Sequence, residues 1–161
     1  MDGQGAIAQQ AAGFVEADLD LVLAGRQAGQ SLEVVAQGGV ADAEWMFRSM
    51  LGIDTDGVGF KKIVLKPEMG EGITWAKGHY DSIHGRIGSD WKRDNDQFSW
   101  KITVPANTTA TVYVPAKDEE SVSESGSPIA QVEGVTFLRM EKGRAVFEVG
   151  SGKYAFNTKM N

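Results

Sequence analysis

The sequence contains no cysteine, so neither a disulfide framework nor a thiolate metal site can form. A secreted protein can also lack cysteine, which leaves the compartment open. The amino-terminal stretch Met1-Asp-Gly-Gln-Gly has no basic region and is not followed by an apolar one, so no signal peptide is expected there. No apolar run is long enough to cross a membrane. The formal net charge of -6 argues against a nucleic-acid partner, which a basic surface would have to recruit. There is no Gly-x-Ser-x-Gly elbow and no phosphate-cradling glycine loop, which removes two common routes to catalysis. Lysine is also absent from the first 60 residues, and all ten lysines fall from Lys61 onward. Such a shift in composition marks a boundary between two parts of different environment.

What is present is mostly strand. A hydrophobic content of 42% over 161 residues is ordinary for a folded chain of one domain, or one domain with an appendage. From Phe60 to Val114, short aromatic and β-branched runs alternate with Pro, Gly, Asn and Asp, the pattern of consecutive antiparallel strands. The plainest is Gln97-Phe-Ser-Trp-Lys-Ile-Thr-Val104, with Phe98, Trp100, Ile102 and Val104 on one face. Ile63 and Leu65 share a face of an earlier strand, and Ala110, Val112 and Val114 one of a later strand. Three more strands are expected over 135–140, 145–149 and 154–158, with a short one near Ser121-Val-Ser123. The fold class predicted is mainly β: an antiparallel β-sandwich or jelly roll burying Phe98, Trp100, Ile102, Val112, Phe147, Val149 and Phe156 between two sheets.

Upstream of this region the pattern is helical. Phe14, Ala17, Leu21 and Ala24 recur at helical spacing, with Gly25 as the stop. A second helix is expected from about Val40 to Leu51, stopped by Gly52, with Trp45, Met46, Ser49 and Met50 along one stripe. The boundaries that follow are a helical or partly disordered leader over 1–39, a helix and linker over 40–58, and a sandwich over 59–161. Asp54-Thr-Asp-Gly-Val-Gly59 offers alternate carboxylates to a hard cation such as calcium, but it lacks the later acidic ligands of a full loop. A helix-to-strand turn accounts for it without a metal.

Candidate functional residues are few. His79 and Asp81 fall on one face of a strand, while His84 lies across a turn, and this is not a ligand-pair spacing; no metal or cofactor is expected. The carboxylates Glu68, Glu71, Asp90, Asp94, Asp96, Asp118, Glu119 and Glu120 sit mainly in expected turns, where solvation explains them. A glycosidase would need a pair opposed across a cleft. Trp75 and Trp91 can be core residues or stacking platforms for a sugar, and with His79 and Tyr80 they form a candidate carbohydrate-binding set. Asn107-Thr-Thr109 reads equally as a glycosylation sequon or a hairpin turn.

Several segments in order resemble the C-terminal end of bacterial α-L-rhamnosidases. They are Glu44-Trp-Met-Phe-Arg48, Gly59-Phe-Lys-Lys-Ile63, Ile73-Thr-Trp-Ala-Lys77, Tyr80-Asp-Ser82, Trp91-Lys92, Pro105-Ala-Asn-Thr-Thr-Ala-Thr-Val-Tyr-Val-Pro115, Ser121 to Gly126 and Phe147-Glu-Val-Gly-Ser-Gly-Lys-Tyr154. The resemblance spans roughly Val40 to Phe156 and does not include residues 1–29. It implies a multidomain inverting glycoside hydrolase with an α/α-barrel catalytic domain followed by a β-sandwich. The catalytic glutamates would lie in that barrel, upstream of this chain, so no catalytic residue is assigned here. Where the family has an Asn-His-Tyr type segment, this chain has Glu33-Val-Val35, and no active-site histidine is carried over. The expected function is a non-catalytic domain that supports the barrel, with a carbohydrate-binding module for rhamnose-containing glycans as the alternative. Trp45, Phe47 and Met50 are the expected packing residues, on a helix that folds back or mediates self-association. A periplasmic or secreted parent would fit, and neither a membrane nor a nucleic acid is an expected partner.

Overall fold

The computed structural model describes residues 23–27, 30–33, 46–57, 59–69 and 73–160, with side chains from Ser49 onward. In chain order the strands are β1 (Leu23–Gln27), β2 (Gln30–Glu33), β3 (Ile53–Thr55), β4 (Lys62–Leu65), β5 (Trp75–Ser82), β6 (Gly85–Asp94) and β7 (Gln97–Val104). They continue with β8 (Thr109–Pro115), β9 (Val122–Glu124), β10 (Ser127–Pro128), β11 (Val135–Glu141), β12 (Arg144–Val149) and β13 (Gly152–Lys159). A short π-helix, Met46–Leu51, precedes β3. The strands form two sheets, one of eight strands in the order β10-β9-β13-β7-β6-β5-β1-β2 and one of five in the order β11-β12-β8-β4-β3. Pairing is antiparallel except between β4 and β8.

Local chemistry explains the main elements. In β7, buried Phe98, Trp100, Ile102 and Val104 alternate with Ser99, Lys101 and Thr103, so one face meets the core and the other meets water. β8 buries Ala110, Val112 and Val114 in the same way. The β11–β12 hairpin turns through Lys142 and Gly143, both at positive φ (48° and 74°), the geometry of a tight turn that matches strand twist. An aromatic chain ties the sheets together. Trp91, Phe98, Trp100 and Phe156 from the large sheet follow one another at 6.0–6.4 Å, and Phe156 meets Phe147 of the small sheet at 6.4 Å. Phe137 extends the chain onto β11 at 5.7 Å from Phe147. All seven residues expected between the sheets are buried.

Three expectations change. The helix expected over Phe14–Ala24 lies mostly outside the described residues, and its last two residues, Leu23 and Ala24, are strand. They pair with β5, Ala24 opposite Ala76 and Leu23 opposite Lys77, because the β5 edge offers backbone partners that a local pattern cannot reveal. β1 and β2 also show that part of the expected leader over 1–39 joins the large sheet. Of the second helix, Met46–Leu51 is described. Finally, Asp54-Thr-Asp-Gly is not a helix-to-strand turn, because Ile53–Thr55 is already strand, with Asp54 opposite Val64 of β4. Asp56 and Gly57 then turn the chain, with Asp56 N–H donating to Lys62 O at 2.9 Å.

Candidate functional site

At the junction where the helix enters the sandwich, buried hydrogen bonds and close backbone contacts meet. A helix ends with carbonyls that have no partner within it. Here two core side chains supply the missing donors: the Trp91 indole Nε1–H donates to Met50 O at 2.6 Å, and the Ser89 hydroxyl donates to Leu51 O at 2.7 Å. Ser89 Oγ in turn accepts from Trp100 Nε1–H at 3.0 Å. Ser89 is 1% exposed, so this polar chain is sealed among apolar residues, where each lost bond is costly. Leu51 is fully buried against Gly78 of β5, where a Cβ would come within 2.6 Å of Leu51 Cδ1. Gly52 follows at φ +72°, and its carbonyl accepts from Lys66 N–H at 2.8 Å. Only glycine fits, since an added Cβ would fall onto the backbone of Lys66 and Pro67.

The four candidate sugar-binding residues divide between the two faces of the large sheet. Tyr80 and Trp91 point inward, at 2% and 0% exposure, and neither shows a ring face to solvent. They fall inward because strand alternation puts them with Ala76, which is opposite Trp91 in the β5–β6 register. Trp75 and His79 are partly exposed and share the outer face with Lys77 and Asp81. On that face Arg86 grips Asp81 with a fork, Nε at 2.9 Å and Nη2 at 3.2 Å from the two carboxylate oxygens. That fork is the chief cause holding the Asp81 carboxyl below its ordinary value, with smaller help from the charges of Arg86 and His79 and against the opposing effect of burial. His79 Nε2 lies 3.8 Å from Asp81 Oδ2, and Lys77 Nζ lies 4.0 Å from Asp90 Oδ2.

Of the expected packing residues, Met50 is 4% exposed and belongs to the sandwich core. Trp45 and the side chain of Phe47 lie outside the described residues. His84 sits in the turn after Ser82, its N–H donating to Ser82 Oγ at 3.2 Å. Asp54 Oδ1 accepts from Thr55 N–H at 2.8 Å, a backbone role. Among the described residues, no group of three or more His, Asp or Glu side chains could hold a metal ion. Asp118 caps a turn of helix over Glu119–Ser121 by accepting from Ser121 N–H at 2.8 Å. Sequence reasoning missed Ser89 and Gly78. Their signal was a polar residue on the apolar face of β6 and a glycine inside β5, each of which marks a close buried neighbour.

Residues 52–127 match the family model described as the bacterial alpha-L-rhamnosidase C-terminal domain. The match begins at Gly52, the residue that ends the helix. The chain resembles the C-terminal domain of bacterial α-L-rhamnosidases. An alpha-L-rhamnosidase of Streptomyces avermitilis is 35% identical over 113 residues, 70% of this chain and 10% of that protein. Two solved rhamnosidases share the fold of this C-terminal-type domain. The Streptomyces avermitilis enzyme, complexed with L-rhamnose, has a TM-score of 0.66 and 34% identity, over 74% of this chain and 11% of its own. The enzyme from Dictyoglumus thermophilum has a TM-score of 0.64 and 29% identity, over 81% and 15% respectively. The chain therefore spans a small fraction of each relative's length.

Proposed function

We propose that this domain is a non-catalytic C-terminal β-sandwich of an α-L-rhamnosidase-like glycoside hydrolase, one that packs against and supports a preceding catalytic barrel. The observation that carries the reading is the sealed junction. A domain tied to its neighbour by a loose linker needs no buried hydrogen bonds at the point of entry. Here the last two carbonyls of the entering helix are held from inside the core by Trp91 and Ser89. Such an anchor fixes the direction from which the upstream polypeptide arrives, which is what a supporting domain must do. Trp45 and Phe47 are the residues proposed to meet the barrel, or a second copy of the chain where no barrel is attached. Four of the described carboxylates support the non-catalytic part of the reading: Asp94 at the end of β6, Asp96 and Asp118 in turns, and Glu120 in the helical turn Glu119–Ser121 are all exposed.

Two measurements test this. The 161-residue chain is expected to release no chromophore from a nitrophenyl α-L-rhamnoside; steady turnover would remove the non-catalytic reading. Hydrogen exchange is expected to show protection of the last helical amides up to Leu51 matching that of β7. Exchange as fast as that of the exposed Asp94–Gln97 turn would remove the rigid anchor.

A further inference from the structure

The outer face of the large sheet carries a track of cations that neither the junction nor the supporting role uses, in a chain whose formal net charge is -6. Strand alternation places Lys92 of β6, Lys101 of β7 and Lys153 of β13 on this face, all exposed. Lys92 lies opposite Ser99, two residues along β7 from Lys101. Lys153 lies opposite Thr103, two residues further the same way. The three therefore step diagonally across adjacent strands, at about 7–8 Å per step. Among the described residues, none of the three forms an ion pair. The carboxylates nearby are engaged elsewhere. Asp90 is opposite Lys101 in register, but its Oδ2 lies 4.0 Å from Lys77 Nζ, and Asp81 is held by Arg86. Asp94 stands opposite Gln97, on the far side of Lys92 from the other two lysines.

The segment before β1 has the complementary charge. Residues 1–22 carry Asp2, Glu16, Asp18 and Asp20 and no Lys, Arg or His. Three of these acids alternate in Val15-Glu-Ala-Asp-Leu-Asp-Leu21, so an extended chain presents a carboxylate about every 6.7 Å, close to the step of the lysine track. β1 begins at Leu23, opposite Lys77 on the edge of this same sheet. From there Lys92, Lys101 and Lys153 lie about 12, 14 and 20 Å away, at the usual strand spacing and rise. Asp20, Asp18 and Glu16 stand three, five and seven residues upstream of Leu23. An extended chain carries them as far as about 10, 17 and 24 Å, before the side chains add their own length. Order and reach agree. We propose that residues 16–20 lie across the outer face of the large sheet, with Asp20 on Lys92, Asp18 on Lys101 and Glu16 on Lys153. Each exposed pair is weak alone and is screened by salt. The tether holds the acids at an effective concentration of about millimolar, so three weak pairs act together. The chain thus covers its own lysine track, and rising ionic strength releases the cover. The proposal is independent of the supporting role, and either can fail alone.

The test uses the 161-residue chain and its lack of cysteine. In Ala12→Cys the single thiol takes a nitroxide spin label, and amide broadening is followed by NMR. At low salt the label is expected to broaden Lys153 and Lys101 strongly and to spare Lys62 and Thr111 of the small sheet. The broadening is expected to vanish at about 1 M salt, where the screening length is about 3 Å. It is also expected to vanish when Glu16→Gln, Asp18→Asn and Asp20→Asn are combined. Lys101→Gln with Lys153→Gln, at exposed positions of the face itself, should release the segment as well. No broadening at low salt, equal broadening of both sheets, or broadening that survives both sets of substitutions would overturn the contact. A mixture of spin-labelled chains with isotope-labelled chains free of nitroxide separates the remaining occupant. Broadening that persists undiminished in that mixture would assign the track to a second copy and overturn the intramolecular cover.

Discussion

Strands β5 and β6 present two surfaces of opposite character. Inward, Gly78, Ser89 and Trp91 hold the entering helix through buried contacts and hydrogen bonds of 2.6–2.7 Å. Outward, the same strands carry ion pairs in water; the Arg86 and Asp81 side chains are 57% and 39% exposed. A buried bond that loses one partner leaves the other unsatisfied, at about 1–3 kcal/mol. An exposed pair is worth about 0–1 kcal/mol and is screened by salt. Period-two alternation thus gives each strand a face that fixes the fold and a face that is nearly free of that duty. Ligand contacts can be gained or lost on the second without unfolding the first.

The sharpest way to break this comparison is Gly52→Ala. The residue sits at φ +72°, which costs a non-glycine residue about 1–2 kcal/mol. The added Cβ would also lie 2.6 Å from Pro67 Cα and closer still to Pro67 N and Lys66 C, backbone atoms that cannot rotate away. A loss of at least about 3 kcal/mol is expected, seen as a lower urea midpoint at unchanged slope. An unchanged midpoint would mean that the junction does not hold the helix as described.

Ser89→Ala comes next. It leaves Leu51 O and Trp100 Nε1–H without their partner in a site from which water is excluded, and about 2–3 kcal/mol is expected. The outward control on the same strand is Asp90→Asn, which removes only the long contact to Lys77 and should stay within about 0.5 kcal/mol. Urea melts of the pair measure the contrast between the faces directly, and equal losses would abolish it.

How much of this was legible depends on how local the cause was. β7 and β8 declared themselves because each alternates cleanly, and the buried set Phe98, Trp100, Ile102, Val112, Phe147, Val149 and Phe156 followed from that alone. That His79 and Asp81 share a face was also readable, from spacing. The orientation of Trp91 was not, because Ser89 interrupts the apolar face of β6 and obscures its phase. The partners of those two residues lie 41 and 38 positions away, beyond any window of local pattern. β1 was hidden for the same reason: Leu23 and Ala24 end a stretch with helical spacing, and only the free edge of β5 makes them strand. β3 is three residues long, too short to show a period. The Arg86 fork depended on the β5–β6 register, which sets Arg86 opposite Asp81 and cannot be read from either strand alone.

The smallest expected effect isolates the outer face. Arg86 is the leading cause of the low Asp81 pKa, by hydrogen bond first and by charge after burial's opposing effect, with His79 adding a lesser attraction. A carboxyl whose folded pKa is depressed adds stability that is fully present above its unfolded value, 3.8 here, and is lost as pH falls through the folded value. The window in which Asp81 matters therefore lies at and below about pH 4, and at this exposure the contribution is below about 1 kcal/mol. Arg86→Gln removes the fork and its charge together. A carboxyl-carbon titration by NMR should place the Asp81 midpoint below the ordinary aspartate range in the wild type and return it to that range in the variant. The urea midpoint at pH 7 should hardly move, because the outer pair contributes so little to the fold. If the Asp81 midpoint is the same in both proteins, the fork does not set its charge. If the urea midpoint falls as far as in Ser89→Ala, the outer face is not the tolerant surface that its exposure implies.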